Sequence, residues 1–301
     1  MKKIKFPKIE LIIFIVSIIV ISLVYRYQKI LFYPPQSIHC WRQTDCTSQA
    51  LNYYQNGMNF FKPEIHNLVS DNGKTGYCVE EFPIIFYSTA ILYHIFGFHE
   101  WLFRFLDLLI FFLGLFYIYK LFLRMNINIL LSLSITLLFF TSPVIVYYAN
   151  NFIGNVPAFS ITIIGWYFFF EFYKSDKINK LLLSIIFFTL SSLLKLSEMI
   201  SLFTIIGLYL FELMGIFKFG IENKKLFVGK KILILIFFSL SIIIAWYYYA
   251  NWYNNSHSQK YYIFEFLPIW SLDKNTVSII WNKIILEWQY DYFHTSILLL
   301  F

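Results

Sequence analysis

The sequence predicts an all-α integral membrane protein, a bundle of transmembrane helices with interfacial helices in its first external loop. Two observations predict this fold class. The 301 residues are 59% hydrophobic and only 14% charged, whereas soluble domains carry about 25% charged residues. The apolar residues also fall into long uninterrupted runs, as spanning helices require.

Seven of these runs are predicted to span the membrane, and short polar or basic segments separate them. The first is preceded by Lys2, Lys3, Lys5 and Lys8 and followed by Tyr25 and Arg26 rather than by the small residues of a signal-peptidase site, so it is predicted to be an uncleaved helix. The seven runs are 11–25, 101–123, 127–146, 156–173, 181–197, 199–217 and 232–252.

An eighth run, 82–97, is predicted to lie along the membrane interface. As a helix its 16 residues would reach about 24 Å, which is short of the ~30 Å hydrocarbon core. If this run does not span, most basic residues flank helix ends on one side, the cytoplasmic side by the positive-inside rule. They are Lys2, Lys3, Lys5, Lys8, Lys120, Arg124, Lys174, Lys177, Lys180, Lys218, Lys224, Lys225, Lys230 and Lys231.

This topology predicts one transmembrane module over residues 1–301 with a cytoplasmic N-terminus. Residues 26–97 form a first external loop, and residues 251–294 form a second long external segment. The apolar stretch 295–301 is too short to span, so the sequence is expected to be C-terminally truncated. The net charge of +7 comes from the basic clusters between apolar runs, and it gives no indication of nucleic-acid binding.

Two pairs of ionisable residues lie within the apolar runs, where charges are costly and usually functional. Arg104 and Asp107 are three residues apart, as are Lys195 and Glu198. Each can be a structural ion pair on one helix face. Because both pairs are predicted to lie at the external end of the bundle, a shared polar site there is the simpler explanation.

The first external loop contains the remaining candidate residues. Asp45 follows Arg42 and precedes the helix-compatible run 47–55, so Thr44 or Asp45 can simply cap that helix. Glu80 and Glu81 precede Pro83, where carboxylates also favour a helix N-terminus. Cysteines occur only in this loop, at Cys40, Cys46 and Cys78, and either one disulfide or three thiols is compatible with the sequence.

The sequence contains no nucleotide-binding loop and no metal-binding motif of diagnostic spacing. The six histidines are scattered, although loops can bring distant ligands together, for example Glu81 and His257. The sequence itself therefore requires no cofactor.

Several motifs together resemble bacterial family 39-type glycosyltransferases of the GT-C fold. These enzymes are related to protein O-mannosyltransferases and to lipid A aminoarabinose transferases. The resemblance extends over nearly the whole chain, although family members are usually longer. The motifs are Trp41-Arg42-Gln43-Thr44-Asp45, Glu81-Phe82-Pro83, Phe96-Gly97 with Glu100 and Arg104, Ser142-Pro143 to Pro157, Leu193-Leu194-Lys195, and Trp246-Tyr247 to His257.

The resemblance implies a hexosyl or pentosyl transferase that moves a sugar from a polyprenyl-phosphate donor to a lipid, glycan or protein acceptor. It assigns catalytic roles to Asp45, as general base, and to Glu81. One branch of the family has its acidic pair about one turn earlier, where this chain has Arg42 and Gln43. Substrate-binding roles fall on Arg42, Arg104, Lys195 and His257. In some relatives the positions of Glu81 and His257 hold a divalent metal, and Asn155 replaces an acid common in relatives.

The leading hypothesis is therefore an inverting glycosyltransferase in the bacterial cytoplasmic membrane that acts on its external face. Cations would neutralise the leaving phosphate, and a carboxylate would accept the proton of the acceptor. A lipid-glycan flippase would favour helices interrupted by Gly or Pro near the midplane, and this chain has only 11 glycines. A non-catalytic truncated relative is the third alternative.

Overall fold

The structure is a computed structural model that describes residues 8–68, 73, 75–79, 81–221, 225–227, 231–259 and 268–293. Within these ranges the chain is helical with no strand, and its one β-bridge joins Glu64 and Tyr77. The helices are α1 (Lys8–Val24), α2 (Tyr27–Ile30), α3 (Cys40–Gln55), α4 (Ile84–Phe96), α5 (Trp101–Arg124), α6 (Ile129–Phe140), α7 (Pro143–Ala149), α8 (Asn155–Ser175), α9 (Ile178–Leu194), α10 (Ile200–Leu213), α11 (Lys231–Ser256), α12 (Lys274–Leu286) and α13 (Trp288–Tyr292).

Four helical segments are long and apolar enough to cross a membrane, namely α5, α8, α11 and α10 extended by the 3₁₀ turn before it. The pair α6 and α7 passes the same test together, although a bend of 70° separates its two helices. Helices α1 and α9 are apolar but have only 17 residues each. All seven predicted runs are thus helical. Because α1 and α9 are shorter than the other candidate spans, the number of seven membrane crossings stays a prediction. The fold is that of an integral membrane helical bundle.

The bend between α6 and α7 interrupts what the sequence predicted as one helix. Pro143 is the first residue of α7, a position that suits proline because its missing N–H would have no partner there. The same ring cannot continue a preceding helix. Run 127–146 is therefore two helices.

Helices α5 and α8 run parallel and form the centre of the bundle. Near their middle, a Cβ added to Gly114 would lie 2.7 Å from the Cβ of Ser160, so the two backbones are in close contact. At their far ends, Arg124 donates two hydrogen bonds to Glu171, of 2.6 and 3.1 Å. In both contacts the residue number on α8 exceeds that on α5 by 46 or 47. Each position on α5 therefore lies level with the position on α8 that is 46 or 47 residues later in the chain.

Helix α1 runs antiparallel to α5. The ring of Phe14 stacks on Tyr119 near the end of α5, whereas Leu31, just after α2, lines a groove with Leu108 near the start of α5. The chain thus leaves α1 and begins α5 at the same end of the bundle. Helix α4 lies between α1 and α5 in the chain, and its 13 residues reach about 20 Å. Because the chain stays at the same end of the bundle, α4 does not cross the membrane, as expected for an interfacial helix.

Helix α3 begins earlier than the sequence predicted. It starts at Cys40 after His39, whose φ of 55° is left-handed. Thr44 and Asp45 consequently lie inside the helix, and Thr44 donates a hydrogen bond to the Cys40 carbonyl oxygen. The prediction that either residue caps this helix is wrong.

Two further predictions concern the chain outside these helices. Helix α11 continues to Ser256, so the first part of segment 251–294 is helical. No disulfide joins Cys40, Cys46 and Cys78. Glu80 and residues 295–301 lie outside the described residues.

Candidate active site at one end of the bundle

Helix α3 presents Arg42 and Asp45 on one face. The two residues are three positions apart, and side chains at that spacing are neighbours on a helix surface. Asp45 is 6% exposed, which is unusual for an acid because burial removes its hydration. The early start of α3 therefore converts a predicted cap into a buried carboxylate beside a cation.

Glu81 lies at the centre of a cluster of two cations. The Arg42 guanidinium donates a hydrogen bond of 2.6 Å to Glu81 Oε1, and Lys195 Nζ lies 3.5 Å from the same oxygen. The Glu81 side chain is 9% exposed and that of Lys195 is 33% exposed. The cluster carries a formal charge of +1 and is reachable from outside the protein through Lys195.

Neighbouring helices hold the segment that carries Glu81. The Asn254 side chain on α11 accepts a hydrogen bond from the Val79 N–H and donates one to the Val79 carbonyl oxygen, and both bonds are 2.8 Å long. The Phe82 N–H donates to the Leu193 carbonyl at the end of α9, and the Phe82 ring packs edge-on against Trp246. Glu81 is thereby fixed between α9 and α11.

Glu81 also faces the N-terminus of α8. A Cβ added to Gly154 would lie 3.4 Å from Glu81 Oε2. The parallel pairing of α5 and α8 puts Asp107 level with Gly154, and the Glu81 carboxylate is near enough to act electrostatically on Asp107. The structure thus adds Gly154 and Asp107 to the surroundings of Glu81, a grouping that no sequence motif indicated.

The ion pair of Arg104 with Asp107, one of the two alternatives for these residues, is not formed. Arg104 donates to the carbonyl oxygens of Asn150 (2.9 Å) and Pro34 (3.2 Å), and its guanidinium lies over the Phe152 ring. Asp107 is fully buried, and neither of its carboxylate oxygens has a hydrogen-bond partner among the described residues. Arg104 therefore ties together three segments of the chain instead of neutralising the acid beside it.

The alternative ion pair of Lys195 with Glu198 is likewise replaced by other contacts. Lys195 pairs with Glu81, whereas Glu198 accepts a hydrogen bond of 2.7 Å from Thr162. Helix α9 ends before Lys195, whose extended backbone (φ −149°) directs the two residues differently. The lysine is thus available to the cluster around Glu81.

His257 lies in an aromatic environment near the end of α11. Its ring is 4.4 Å from that of Tyr253 and 4.9 Å from that of Tyr77. Nδ1 lies 2.8 Å from the Tyr253 carbonyl, which fixes the proton on Nδ1 and makes Nε2 the acceptor of the neutral ring. The Glu64 carboxylate raises the pKa of Tyr77 above its ordinary value.

The residues around Glu81 do not fit a divalent metal. Two cationic side chains already occupy the surroundings of its carboxylate, and a metal ion there would be repelled by them. Within the described ranges, no three His, Cys, Asp or Glu residues gather as metal ligands. The chemistry considered below therefore uses the chain's own residues.

The fold and the cluster define a class, an integral membrane helical protein with cations and buried acids gathered at one end of the bundle. The chain belongs to the dolichyl-phosphate-mannose-protein mannosyltransferase family, whose model matches residues 80–249, more than half of the chain. It is thus a membrane glycosyltransferase of the kind that uses polyprenyl-phosphate sugars. Comparison with curated proteins and with solved structures finds no significant match.

The matched segment contains Glu81, Arg104 and Lys195 but ends before His257 and begins after α3. Arg42 and Asp45 lie outside the matched segment, so only the structure links them to the residues within it. That connection is the hydrogen bond between Arg42 and Glu81.

Proposed function

We propose that this protein transfers mannose or a related sugar from a polyprenyl-phosphate donor to an acceptor on the extracytoplasmic face of the cytoplasmic membrane, with inversion at the anomeric carbon. The observation that carries this proposal is the convergence of Arg42 and Lys195 on one oxygen of Glu81. A pair of cations held in place before the substrate binds is what a leaving phosphate requires.

In this proposal the donor phosphate binds to Arg42 and Lys195. A planar guanidinium and an ammonium can together offer several charge-assisted hydrogen bonds to phosphate oxygens. Glu81 holds both cations at one place in the absence of substrate. When the phosphate arrives, it takes over part of their pairing, so little reorganisation is needed.

Asp45 is the proposed general base. Its position on the face of α3 that carries Arg42 supports this role, because the donor phosphate would bind on that side. The acceptor hydroxyl loses its proton to Asp45 as its oxygen forms a bond to the anomeric carbon. The bond from that carbon to the phosphate oxygen breaks, and the electron pair leaves with the phosphate. Direct displacement of this kind inverts the anomeric centre.

The remaining predicted residues have supporting roles in this proposal. Arg104 holds the segments of Asn150 and Pro34 together through hydrogen bonds to their carbonyl oxygens, and His257 offers its Nε2 acceptor to a hydroxyl-bearing group. Neither is required at the phosphate.

The test is transfer of labelled sugar by the protein reconstituted in liposomes, with a membrane extract added as the source of acceptor. Polyprenyl-phosphate mannose, glucose and aminopentose are supplied in separate reactions to wild type, to Glu81→Ala and to the matched surface variant Lys29→Ala. We expect label to leave the mannosyl donor with wild type and Lys29→Ala and to leave much more slowly with Glu81→Ala. Movement of intact donor across the bilayer without release of sugar would contradict the proposal and support a flippase.

A further inference from the structure

A cluster of cations lies at the end of the bundle opposite to the candidate active site. Arg104 is near the start of α5, whereas Lys120 and Arg124 lie in its last two turns. Lys180, in the first turn of α9, is close enough to act electrostatically on Lys120. Arg124 binds both carboxylate oxygens of Glu171 on α8. Helices α5, α8 and α9 thus meet at a group of charges that the proposed transfer reaction does not use.

The two lysines of this cluster are held against aromatic rings. Lys120 Nζ lies 4.8 Å from the centre of the Tyr167 ring, and Lys180 Nζ lies 5.2 Å from the centre of the Phe168 ring. A cation within about 6 Å of a ring centre is attracted to the face of the ring. Both lysines are only partly exposed, so the rings hold their ammonium groups at the surface of the bundle.

The cluster carries an excess of positive charge. Three cations, Lys120, Arg124 and Lys180, and the single Glu171 carboxylate give a formal charge of +2. The adjoining turn 174–177 adds two lysines and one aspartate, so it does not neutralise the excess. Like charges repel one another more strongly where water is partly excluded, and a bound anion would relieve that repulsion.

An aromatic strip begins beside the cluster and crosses from α5 to α9. The ring centre of Phe168 lies 5.8 Å from that of Tyr117 on α5 and 5.5 Å from that of Phe187 on α9, on which it stacks. Phe187 is two turns beyond Lys180 on the same face of α9, so the strip leads from the charges towards the middle of the bundle. Both phenylalanine rings are partly exposed on helices predicted to span the bilayer. The strip therefore suits an apolar chain.

The depth of the cluster matches that of lipid headgroups. The 24 residues of α5 extend about 36 Å, which is longer than the ~30 Å hydrocarbon core. The last turn of α5 therefore reaches the headgroup layer, and Lys120 lies one turn, or about 5 Å, before Arg124. A lysine at this level can lay its stem along apolar surface while its ammonium group meets a phosphate.

We propose that the cluster and the aromatic strip bind an anionic phospholipid, with its phosphate on the two lysines and an acyl chain over Phe168 and Phe187. A zwitterionic lipid fits less well, because its own cation would approach the excess positive charge. A free phosphate fits less well, because it leaves the strip uncovered. The site lies at the other end of α5 from the cluster around Glu81, so the inference does not depend on the proposed function.

The experiment compares two lipids that share their acyl chains and differ in headgroup charge. Dioleoyl phosphatidylglycerol and dioleoyl phosphatidylcholine are titrated separately into the purified protein in detergent, and native mass spectrometry measures the dissociation constant of the first bound lipid. Glycerol phosphate, an anion without acyl chains, is added as a competitor. Lys180→Gln removes one cation of the site, and Lys180→Arg keeps its charge. Lys177→Gln, which removes an exposed cation just before α9, is the matched control.

We expect wild type to bind phosphatidylglycerol more tightly than phosphatidylcholine. Each lysine near an anionic lipid contributes about 1 kcal/mol, so Lys180→Gln should weaken phosphatidylglycerol binding about fivefold. The double variant Lys120→Gln, Lys180→Gln should weaken it about 30-fold. Lys180→Arg and Lys177→Gln should bind like wild type. Thermal unfolding without lipid shows which variants are folded, and the comparison of Lys180→Gln with Lys180→Arg decides the matter if the double variant is not.

Three results would overturn the inference. They are equal affinity of wild type for the two lipids, equal loss of phosphatidylglycerol binding in Lys180→Gln and Lys177→Gln, and displacement of the bound lipid by an equal concentration of glycerol phosphate. The last result would assign the cluster to a soluble anion instead of a lipid.

Discussion

Arg42 and Glu81 are 39 residues apart in the chain, and their side chains are joined by a hydrogen bond of 2.6 Å. This contact connects α3, which carries Asp45, to the segment matched by the family. With Lys195 on the same carboxylate oxygen, it makes one cluster from three separate parts of the sequence.

Removing the guanidinium should weaken use of the donor. Hydrogen bonds to charged groups contribute about 1.5–3 kcal/mol, so Arg42→Gln should lower kcat/KM for polyprenyl-phosphate mannose by roughly 10- to 100-fold. Lys29→Gln, which removes an exposed cation from the same loop, is the matched control. Equal loss in both variants would mean that overall charge, rather than the cluster, attracts the donor.

Arg104 and Asp107 should respond differently to neutralisation. Arg104→Gln breaks two hydrogen bonds to backbone carbonyls and should lower the free energy of unfolding by about 3 kcal/mol. Asp107→Asn removes an acid that has no hydrogen-bond partner among the described residues, so stability should be unchanged or higher. Thermal unfolding in detergent measures both. Similar destabilisation by the two variants would indicate the ion pair that the sequence suggested.

A glycine on α5 should not tolerate alanine. Alanine normally stabilises a helix by about 1 kcal/mol relative to glycine, but at Gly114 its Cβ would lie 2.7 Å from that of Ser160. Overpacking of this kind costs about 1–3 kcal/mol, so Gly114→Ala should lower the melting temperature. Gly207→Ala is the control, because no atom lies within 4 Å of its added Cβ. Equal behaviour of both variants would contradict the close packing of α5 and α8.

Glu212 at the end of α10 should organise the loop that follows. It is 3% exposed and accepts backbone hydrogen bonds from Phe219, Leu226 and Phe227. Glu212→Gln turns one acceptor into a donor that faces an N–H group, which should cost about 1–3 kcal/mol. Glu287→Gln, an exposed glutamate in an i,i+4 pair, should leave the melting temperature unchanged. A Glu212→Gln variant with the melting temperature of wild type would show that Glu212 does not organise this loop.

The sequence predicted the helical membrane fold well, because apolar runs and flanking charges report directly on the bilayer. It also predicted that α4 is too short to span. It did not predict the bend at Pro143 within run 127–146, since hydropathy alone does not register where a helix changes direction. The start of α3 was missed for a similar reason, because the left-handed His39 that precedes the helix has no sequence signature.

The candidate site was only partly predictable for a different physical reason. The sequence identified Lys195 and Arg104 as charges in costly surroundings and Glu81 through the family resemblance, but the local ion pairs that it offered as the alternative name the wrong partners. Arg104 reaches the carbonyl of Pro34, 70 residues away, and Lys195 reaches Glu81 across the bundle. Such contacts depend on how helices pack, which spacing along one helix does not encode.

Asp45 provides the most direct test of the proposed chemistry. The measurement is the rate of mannose transfer from polyprenyl-phosphate mannose by wild type and Asp45→Asn, with donor binding followed in parallel. General-base catalysis contributes about 10²- to 10⁴-fold, so we expect a loss of that order in kcat with donor affinity retained. A variant that transfers mannose within a few-fold of wild type would show that Asp45 is not the base and would contradict the proposed mechanism.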